Sequence, residues 1–415
     1  MATAAFLAFP GYGHIIPTLP VVAELTGRGD TVHYFALDYF RPAVEAAGAV
    51  FHSYGDLPLE GLDGDGDPLA QINAFLRLGR WVLEHRLEDV RALGPDYILY
   101  DILSAWGGHM ATILGLPAVC SVPSMLVNRR MAYALPLRVA GVFAARLTHP
   151  RQLVRNRTLA RSIRRAYGVD QPHDFRVFAD PGPLNIVYSS RMFQPYAASL
   201  PEDRFVFVGP TATARPGFHF SFDWLDGRPL VYVSLGTVFN DRPDFFRACV
   251  EAFGDQDVQL VIAAGRPAES LGLGEIPPNV RVEAFVPQIE LLRHASLFVT
   301  HGGTNSVYES LLCGVPMVVV PQSADQPWVA RRVARLGAGR VLADRRFGAR
   351  TLRRAAAAVM SRPSYAEAAA RVGASLREAG GAARAADEIQ RRMRRHAHER
   401  PLTVAAPRRE DKDVH

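Results

Sequence analysis

The sequence predicts an α/β protein made of two doubly wound parallel-sheet domains that face each other across a cleft. Three observations carry this prediction. Short apolar runs alternate with helical patterns along most of the chain, as parallel strands joined by crossover helices do. Both halves open alike, with a strand running into a glycine-containing turn: Phe9-Pro-Gly-Tyr-Gly-His14 in the first and Ser234-Leu-Gly-Thr237 in the second. At 415 residues the chain is also too long for one ordinary core.

In the first half the apolar runs place strands at Ala4 to Phe9, Thr31 to Ala36, Val50 to Tyr54, Tyr97 to Tyr100, Ala118 to Val122 and Leu184 to Tyr188. Helical patterns fill the gaps, notably Thr18 to Gly27, Leu69 to Ala92 and Trp106 to Leu114. The second half restarts at Leu230 to Leu235. It continues through Gln259 to Ala263, Val280 to Phe285, Leu297 to Thr300 and Met317 to Val320. Between the halves, a stretch rich in Gly, Pro, Thr and Phe shows no periodicity and reads as a linker. The expected boundaries are therefore 1–210, a linker at 211–229, a second domain at 230–395, and a polar, disordered tail at 396–415.

Hydrophobic residues make up 48% of the chain and charged ones 21%, the balance of a soluble globular protein. The formal charge of +6 is mostly arginine, concentrated in residues 146–165 and 391–409. No zinc spacing or RNA-binding aromatic signature accompanies these arginines, so solvated helix faces are favoured over nucleic-acid binding. Arg151, Arg155 and Arg161 leave room for peripheral membrane contact at most. Cys120, Cys249 and Cys313 lie far apart in apolar surroundings and fit reduced, buried thiols. The N-terminus lacks a basic leader and is broken by Pro10, Gly11, Gly13 and Pro17, so it reads as a first strand and turn. No run reaches transmembrane length. A cytoplasmic protein is expected, and a homodimer is compatible with the sequence.

The most informative segment is Phe298-Val-Thr-His-Gly-Gly-Thr-Asn-Ser-Val-Tyr-Glu309. A strand passes through His301 and two glycines into a helix beginning near Thr304. Such a turn presents unpaired N–H groups at the positive end of a helix dipole, which suits a phosphate. Glu309, one to two turns on, is placed to accept bonds from a ribose diol. The segment reads as a nucleotide-diphosphate site. It is not a P-loop, since no Gly-Lys-Ser/Thr ending follows. In the first half, His14 follows strand one and Asp101 ends the strand Tyr97-Ile-Leu-Tyr100, which puts both at the carboxyl edge of one sheet. A histidine oriented by a carboxylate can remove a proton from a weakly acidic hydroxyl near neutral pH. Plain helix-start and capping roles stay open for both residues. Gly11-Tyr-Gly13 is a poor dinucleotide fingerprint, because Ile16 stands at the third glycine position. The remaining histidines show no metal-ligand spacing, and no metal site is expected.

Taken together, Val286-Pro-Gln288, His301-Gly-Gly-Thr-Asn-Ser306, Glu309, Gly314-Val-Pro316, Pro321 and Asp325-Gln326 resemble the donor-binding signature of UDP-glycosyltransferases, and of their bacterial macrolide branch in particular. The likeness runs along nearly all of residues 1 to 395. It implies a GT-B fold, with the acceptor on the first domain and a UDP-sugar co-substrate on the second. It further implies an inverting transfer of a hexose, with glucose the favoured sugar, to a hydroxyl of a lipophilic acceptor such as a macrolide, polyketide or phenol. By the same resemblance His14 is the catalytic base and Asp101 its partner. Ser234, Gly236 and Thr237 face the diphosphate with His301, Gly303, Asn305 and Ser306. Phe285, Val286 and Gln288 border the base and ribose, Glu309 holds the ribose hydroxyls, and Asp325 with Gln326 holds the sugar. No cofactor or metal is implied.

Two departures stand out. Phe285 occupies a position where family members often carry Trp, and Val329 stands where an Asn commonly follows Asp-Gln. For Asp325 and Gln326 an exposed helix start after Pro321 is the alternative reading. Apolar stretches at Met125 to Val127, Met131 to Leu137 and Val139 to Ala145 are expected to line the acceptor cleft. The rivals for the whole chain are a nucleotide-sugar epimerase or hydrolase of the same fold, and a non-catalytic nucleotide-sugar binder.

Overall fold

A computed structural model describes residues 1–62, 67–126, 148–172, 181–211, 220–236, 241–322, 325–343 and 347–399. Within them the apolar runs form thirteen strands in two wholly parallel sheets. The first sheet comprises β1 (Thr3–Leu7), β2 (Thr31–Ala36), β3 (Val50–Ser53), β4 (Tyr97–Asp101), β5 (Ala118–Val122), β6 (Leu184–Val187) and β7 (Phe205–Phe207). Its order is β3-β2-β1-β4-β5-β6-β7. The second comprises β8 (Leu230–Ser234), β9 (Gln259–Ala263), β10 (Val280–Glu283), β11 (Ala295–Thr300), β12 (Met317–Val319) and β13 (Gly339–Val341). Its order is β10-β9-β8-β11-β12-β13. This is the two-domain α/β architecture anticipated from the alternating pattern.

The strand sequences explain the layering. β4 and β8 are buried at every position, as strands covered by helices on both faces must be. Alternate residues feed opposite cores. Ala5 and Leu7 enter one cluster with Trp106 and Val82, whereas Ala4 and Phe6 enter another with Val21 and Leu25. Likewise Val231 and Val233 face Phe246, while Leu230 and Tyr232 face Val307 and Leu311. In each sheet the strand order reverses beside the first strand, between β1 and β4 and between β8 and β11. Crevices at the carboxyl ends of such switch points are where ligands bind in open α/β sheets.

Two elements were not anticipated. β7 and β13 are only three residues long, too short to show a period. The helix Gly381–Glu399 also departs from the expectation that the chain stays with the second half to residue 395. Its Ala385, Ala386 and Ile389 bury themselves with Val21 and Leu25 against the first sheet. Arg28 pairs with Asp387 at 2.6 Å, and Gln390 donates to Asp30 at 2.9 Å. Its apolar stripe thus has a home only on the opposite half. The expected disordered tail is corrected at residues 396–399, which form this helix's last turn. Residues 400–415 lie outside the described residues, as do 212–219 of the linker. No helix among the described residues is long and apolar enough to cross a membrane.

The halves also touch elsewhere. Tyr308 donates to Ser189 at 2.8 Å, Ser190 and Ser375 share a bond of 2.9 Å, and Arg332 Nε donates to the Phe193 carbonyl at 2.7 Å. The helix Thr304–Leu312 is clamped from behind by the helix Pro363–Arg377, whose Gly373 lies directly against the Leu311 carbonyl. A Cβ there has no space. Gly373→Ala should lower stability by about 1–3 kcal/mol, the usual cost of overpacking. Denaturant unfolding checks this, and an unchanged midpoint would mean the two helices do not approach this closely.

Candidate active site

The chain leaves β1 at Leu7 and turns sharply, with Gly11 N–H donating to the Phe9 carbonyl at 2.7 Å. A short helix, Tyr12–Ile15, then starts, with the His14 and Ile15 N–H groups both bonded to the Gly11 carbonyl. His14 Nδ1 lies 2.9 Å from Asp101 Oδ2, across 87 residues of sequence. Asp101 is 1% exposed, and its other oxygen accepts the Leu103 N–H at 2.9 Å. The carboxylate therefore holds its own turn and orients the imidazole at once, and it does not cap the next helix, Ala105–Leu114, whose N-cap residue is Ser104. With Nδ1–H directed at Asp101, Nε2 carries the lone pair a base requires. Burial pulls the His14 pKa down, but the charge and hydrogen bond of Asp101, with the charge of Asp325 across the cleft, leave it raised above 6.5.

An apolar wall stands beside this pair. The Phe9 ring meets His14 edge-on at 5.2 Å and stacks on Phe75 at 5.7 Å. Leu69, Ile72, Phe75 and Leu76 form a cluster there with Phe9 and Leu103 packed against it. Of the stretches expected from sequence to line an acceptor cleft, only Met125 and Leu126 are among the described residues. Both are buried core residues, the latter held through both its N–H and carbonyl by Gln194. Val127 and the stretches at 131–137 and 139–145 lie outside the described residues.

On the facing wall, β8 and β11 pair in register, Ser234 beside Thr300, so the two loops that follow emerge side by side. Gly236 has φ +76°, and a Cβ on it would sit 2.7 Å from the His301 ring. A Cβ on Gly303 would strike the same ring. Two glycines from different loops thus crowd the Cε1–Nε2 edge of one imidazole, and a larger residue at either would displace it. Burial drives the His301 pKa down to about 4, against the opposing effect of a backbone bond with Ser234. The ring is neutral at ordinary pH. The helix Thr304–Leu312 begins after Gly303 with no side-chain cap, which leaves its amino end for another acceptor. Thr237 lies outside the described residues.

The remaining residues named from sequence converge on this helix. Asn305 Nδ2 reaches the Gly13 carbonyl at 3.3 Å, next to His14, and ties the two walls together. Gln288 donates to the Ser306 hydroxyl at 3.3 Å and to the buried Glu309 carboxylate, while Tyr232 O–H donates to Gln288 Oε1 at 2.9 Å. Thr304 donates to Asp325 at 2.9 Å. Gln326 is buried, and its Oε1 accepts the Gln322 N–H at 2.8 Å, which closes the preceding loop. Val286 is a core residue, whereas Phe285 is 51% exposed at the rim. Tyr232 and Thr304 escaped sequence reasoning as side-chain donors. One sits in an apolar strand and the other passes for an ordinary helix start. No group of three or more metal-ligand side chains occurs among the described residues.

Residues 247–390, which contain this second wall, match the family described as erythromycin biosynthesis protein CIII-like, C-terminal domain. The chain is 35% identical to YojK of Bacillus subtilis, described as an uncharacterized UDP-glucosyltransferase, over 94% of its own length and 97% of that protein's. It is 32% identical to the oleandomycin glycosyltransferase of Streptomyces antibioticus, covering 97% and 93%. The chain belongs to the UDP-glycosyltransferase family. Among solved structures, the calicheamicin glycosyltransferase CalG4 superposes with a TM-score of 0.83 at 30% identity, covering 96% of this chain and 99% of that one. The fold is GT-B, and the protein is a glycosyltransferase of the macrolide and natural-product type, as the donor-site signature implied.

The two histidines of this glycosyltransferase cleft should titrate apart. By NMR, His14 should protonate with a pKa above 6.5 and His301 with one near 4. Coincident titration of both rings near the ordinary value would contradict the environments described.

Proposed function

We propose that the enzyme transfers a hexose, glucose in the first instance, from its UDP conjugate to a hydroxyl of a lipophilic acceptor, with inversion at the anomeric carbon. The observation that carries this reading is the His14–Asp101 pair at the mouth of the first sheet, bridged by Asn305 and Gly13 to the second wall. His14 Nε2 takes the acceptor's proton as the acceptor oxygen bonds to the anomeric carbon. The bond from that carbon to the diphosphate breaks in the same displacement, and UDP departs on the opposite face. Asp101 stabilises the imidazolium that results.

Negative charge grows on the departing diphosphate. The uncapped amino end of the helix Thr304–Leu312, the turn at Ser234 and Gly236, and the His301 ring are the groups assigned to it. A bound diphosphate would raise the His301 pKa, because its charge favours the protonated ring. The transfer is assigned to protein donors, without a metal. Glu309, already oriented by Gln288, has the acceptor oxygens for a ribose diol, which favours UDP over dTDP. Phe285 at the rim offers a face to the uracil, and Asp325 with Gln326 is assigned to the sugar hydroxyls. The acceptor lies against Phe9, Phe75 and Leu103.

His14→Ala should lower kcat by about 10²- to 10⁴-fold, the usual contribution of a general base. Affinity for UDP, measured by calorimetry, should change little; full turnover in this variant sinks the base assignment. Asp101 raises the His14 pKa, and the base works unprotonated. Asp101→Asn should therefore move the acid limb of the kcat/KM profile to lower pH while reducing the plateau. A limb that stays in place, or moves up, contradicts the pairing.

Glu309→Ala should raise the donor KM by roughly tenfold or more, the loss expected for hydrogen bonds to a charged group. If donor saturation is unaltered, the ribose does not sit there.

A further inference from the structure

The helix Pro150–Tyr167 carries Arg151, Arg155, Arg157, Arg161, Arg164 and Arg165, all exposed, and no carboxylate. Those six arginines equal the whole chain's formal charge of +6, and Lys+Arg and Asp+Glu balance over the rest of the sequence. Among the described residues only Arg164 has an ion-pair partner, Asp170 at 3.5 Å. Elsewhere on the first domain Arg28, Arg41, Arg80, Arg86 and Arg91 each face a carboxylate. The patch is therefore a local, uncompensated field.

We propose that this face docks the enzyme on an anionic lipid surface. Between the arginines the helix exposes Val154, 62% accessible, and Thr158, with Ser162 half-buried beside them. Arg161 and Arg165 flank a shallow depression; the Thr158 and Ser162 hydroxyls in it donate to the Val154 and Leu159 carbonyls, so the two guanidinium groups are the donors it offers a phosphate headgroup. No aromatic residue shares the face on which nucleic-acid bases would stack, and a single convex helix offers no groove to track a polynucleotide backbone.

The opposite face of the same helix explains why lipid is the fitting partner. Leu153 and Leu159 pack on the cluster of Leu69, Ile72 and Phe75, which continues through Phe9 to His14. Asn73 donates to Gln152 at 3.0 Å and Asn156 to the Leu69 carbonyl at 3.1 Å, so the helix is fixed to the wall of the acceptor chamber. The arginine face and the acceptor wall are two sides of one helical layer. An enzyme held by this face would sit with its acceptor chamber one layer from the bilayer, where a lipophilic alcohol concentrates. This last step rests on the acceptor class proposed above; the docking itself does not.

The test is co-sedimentation of the full chain with vesicles of equal phosphatidylglycerol and phosphatidylcholine, against vesicles of phosphatidylcholine alone. Binding is expected only to the anionic vesicles, lost near 0.5 M salt, where screening falls to a few Å. The variant Arg155→Gln, Arg161→Gln, Arg165→Gln should bind at least about tenfold more weakly, since each basic residue near such a surface contributes measurably. Its melting temperature and its turnover of a water-soluble phenol should match the parent protein. No sedimentation of the parent with anionic vesicles overturns the proposal, as does equal binding by the variant or tighter binding to a DNA duplex than to vesicles. Failure of the function reading shows differently, as intact vesicle binding with no transfer from UDP-glucose to any acceptor.

Discussion

The buried carboxylate of Asp101 is the constraint around which the first half of the cleft is arranged. A charge at 1% exposure is costly unless it is bonded, and both of its oxygens are. One holds the turn that ends β4; the other holds His14 from the turn that ends β1. Because β1 and β4 are neighbours at the point where strand order reverses, the two turns emerge side by side. The fold thereby delivers a histidine in a defined tautomer to a crevice, using one acidic side chain for stability and chemistry together.

The second half solves a different problem by omission of side chains. Its corner is made by backbone, with Gly236 and Gly303 both set against the His301 ring. Gly302, with φ +88°, presses against Val319, so the loop can lie flat on β12 before the helix begins. What remains for a ligand is N–H groups and a neutral ring, an environment with no fixed charge of its own at its centre. Two carboxylates lie nearby, each bonded to a neighbouring side chain: Glu309 to Gln288, and Asp325 to Thr304.

Much of this was legible in the sequence because it lies in contiguous runs. The strands declared themselves as apolar stretches, and the segment from Phe298 to Glu309 carried a strand, two glycines and a helix start in order. His14 and Asp101 could be paired because each ends a recognisable strand. What escaped was tertiary. The side of the molecule on which Gly381–Glu399 settles depends on an apolar groove formed by Val21 and Leu25, which no local pattern announces. β7 and β13 are held by their neighbours alone. Of the stretches expected to line an acceptor cleft only Met125 and Leu126 are among the described residues, and Met125 packs into the second half's core. The Phe9–Phe75 stack that actually flanks His14 joins residues too distant for periodicity to link. Tyr232 and Thr304 read as a strand residue and a helix start, since a hydroxyl's partner is a fact of packing.

The strength of the base is shared between the halves. Asp101 supplies the greater part of the push that raises the His14 pKa, but Asp325 adds to it from the opposite domain, held in place by Thr304. Asn305 brings the same helix start to Gly13, one residue from His14. The group that would recognise the sugar therefore also tunes the group that would deprotonate the acceptor. Separation of the two walls would remove the Asp325 contribution and leave burial and Asp101 to decide the balance.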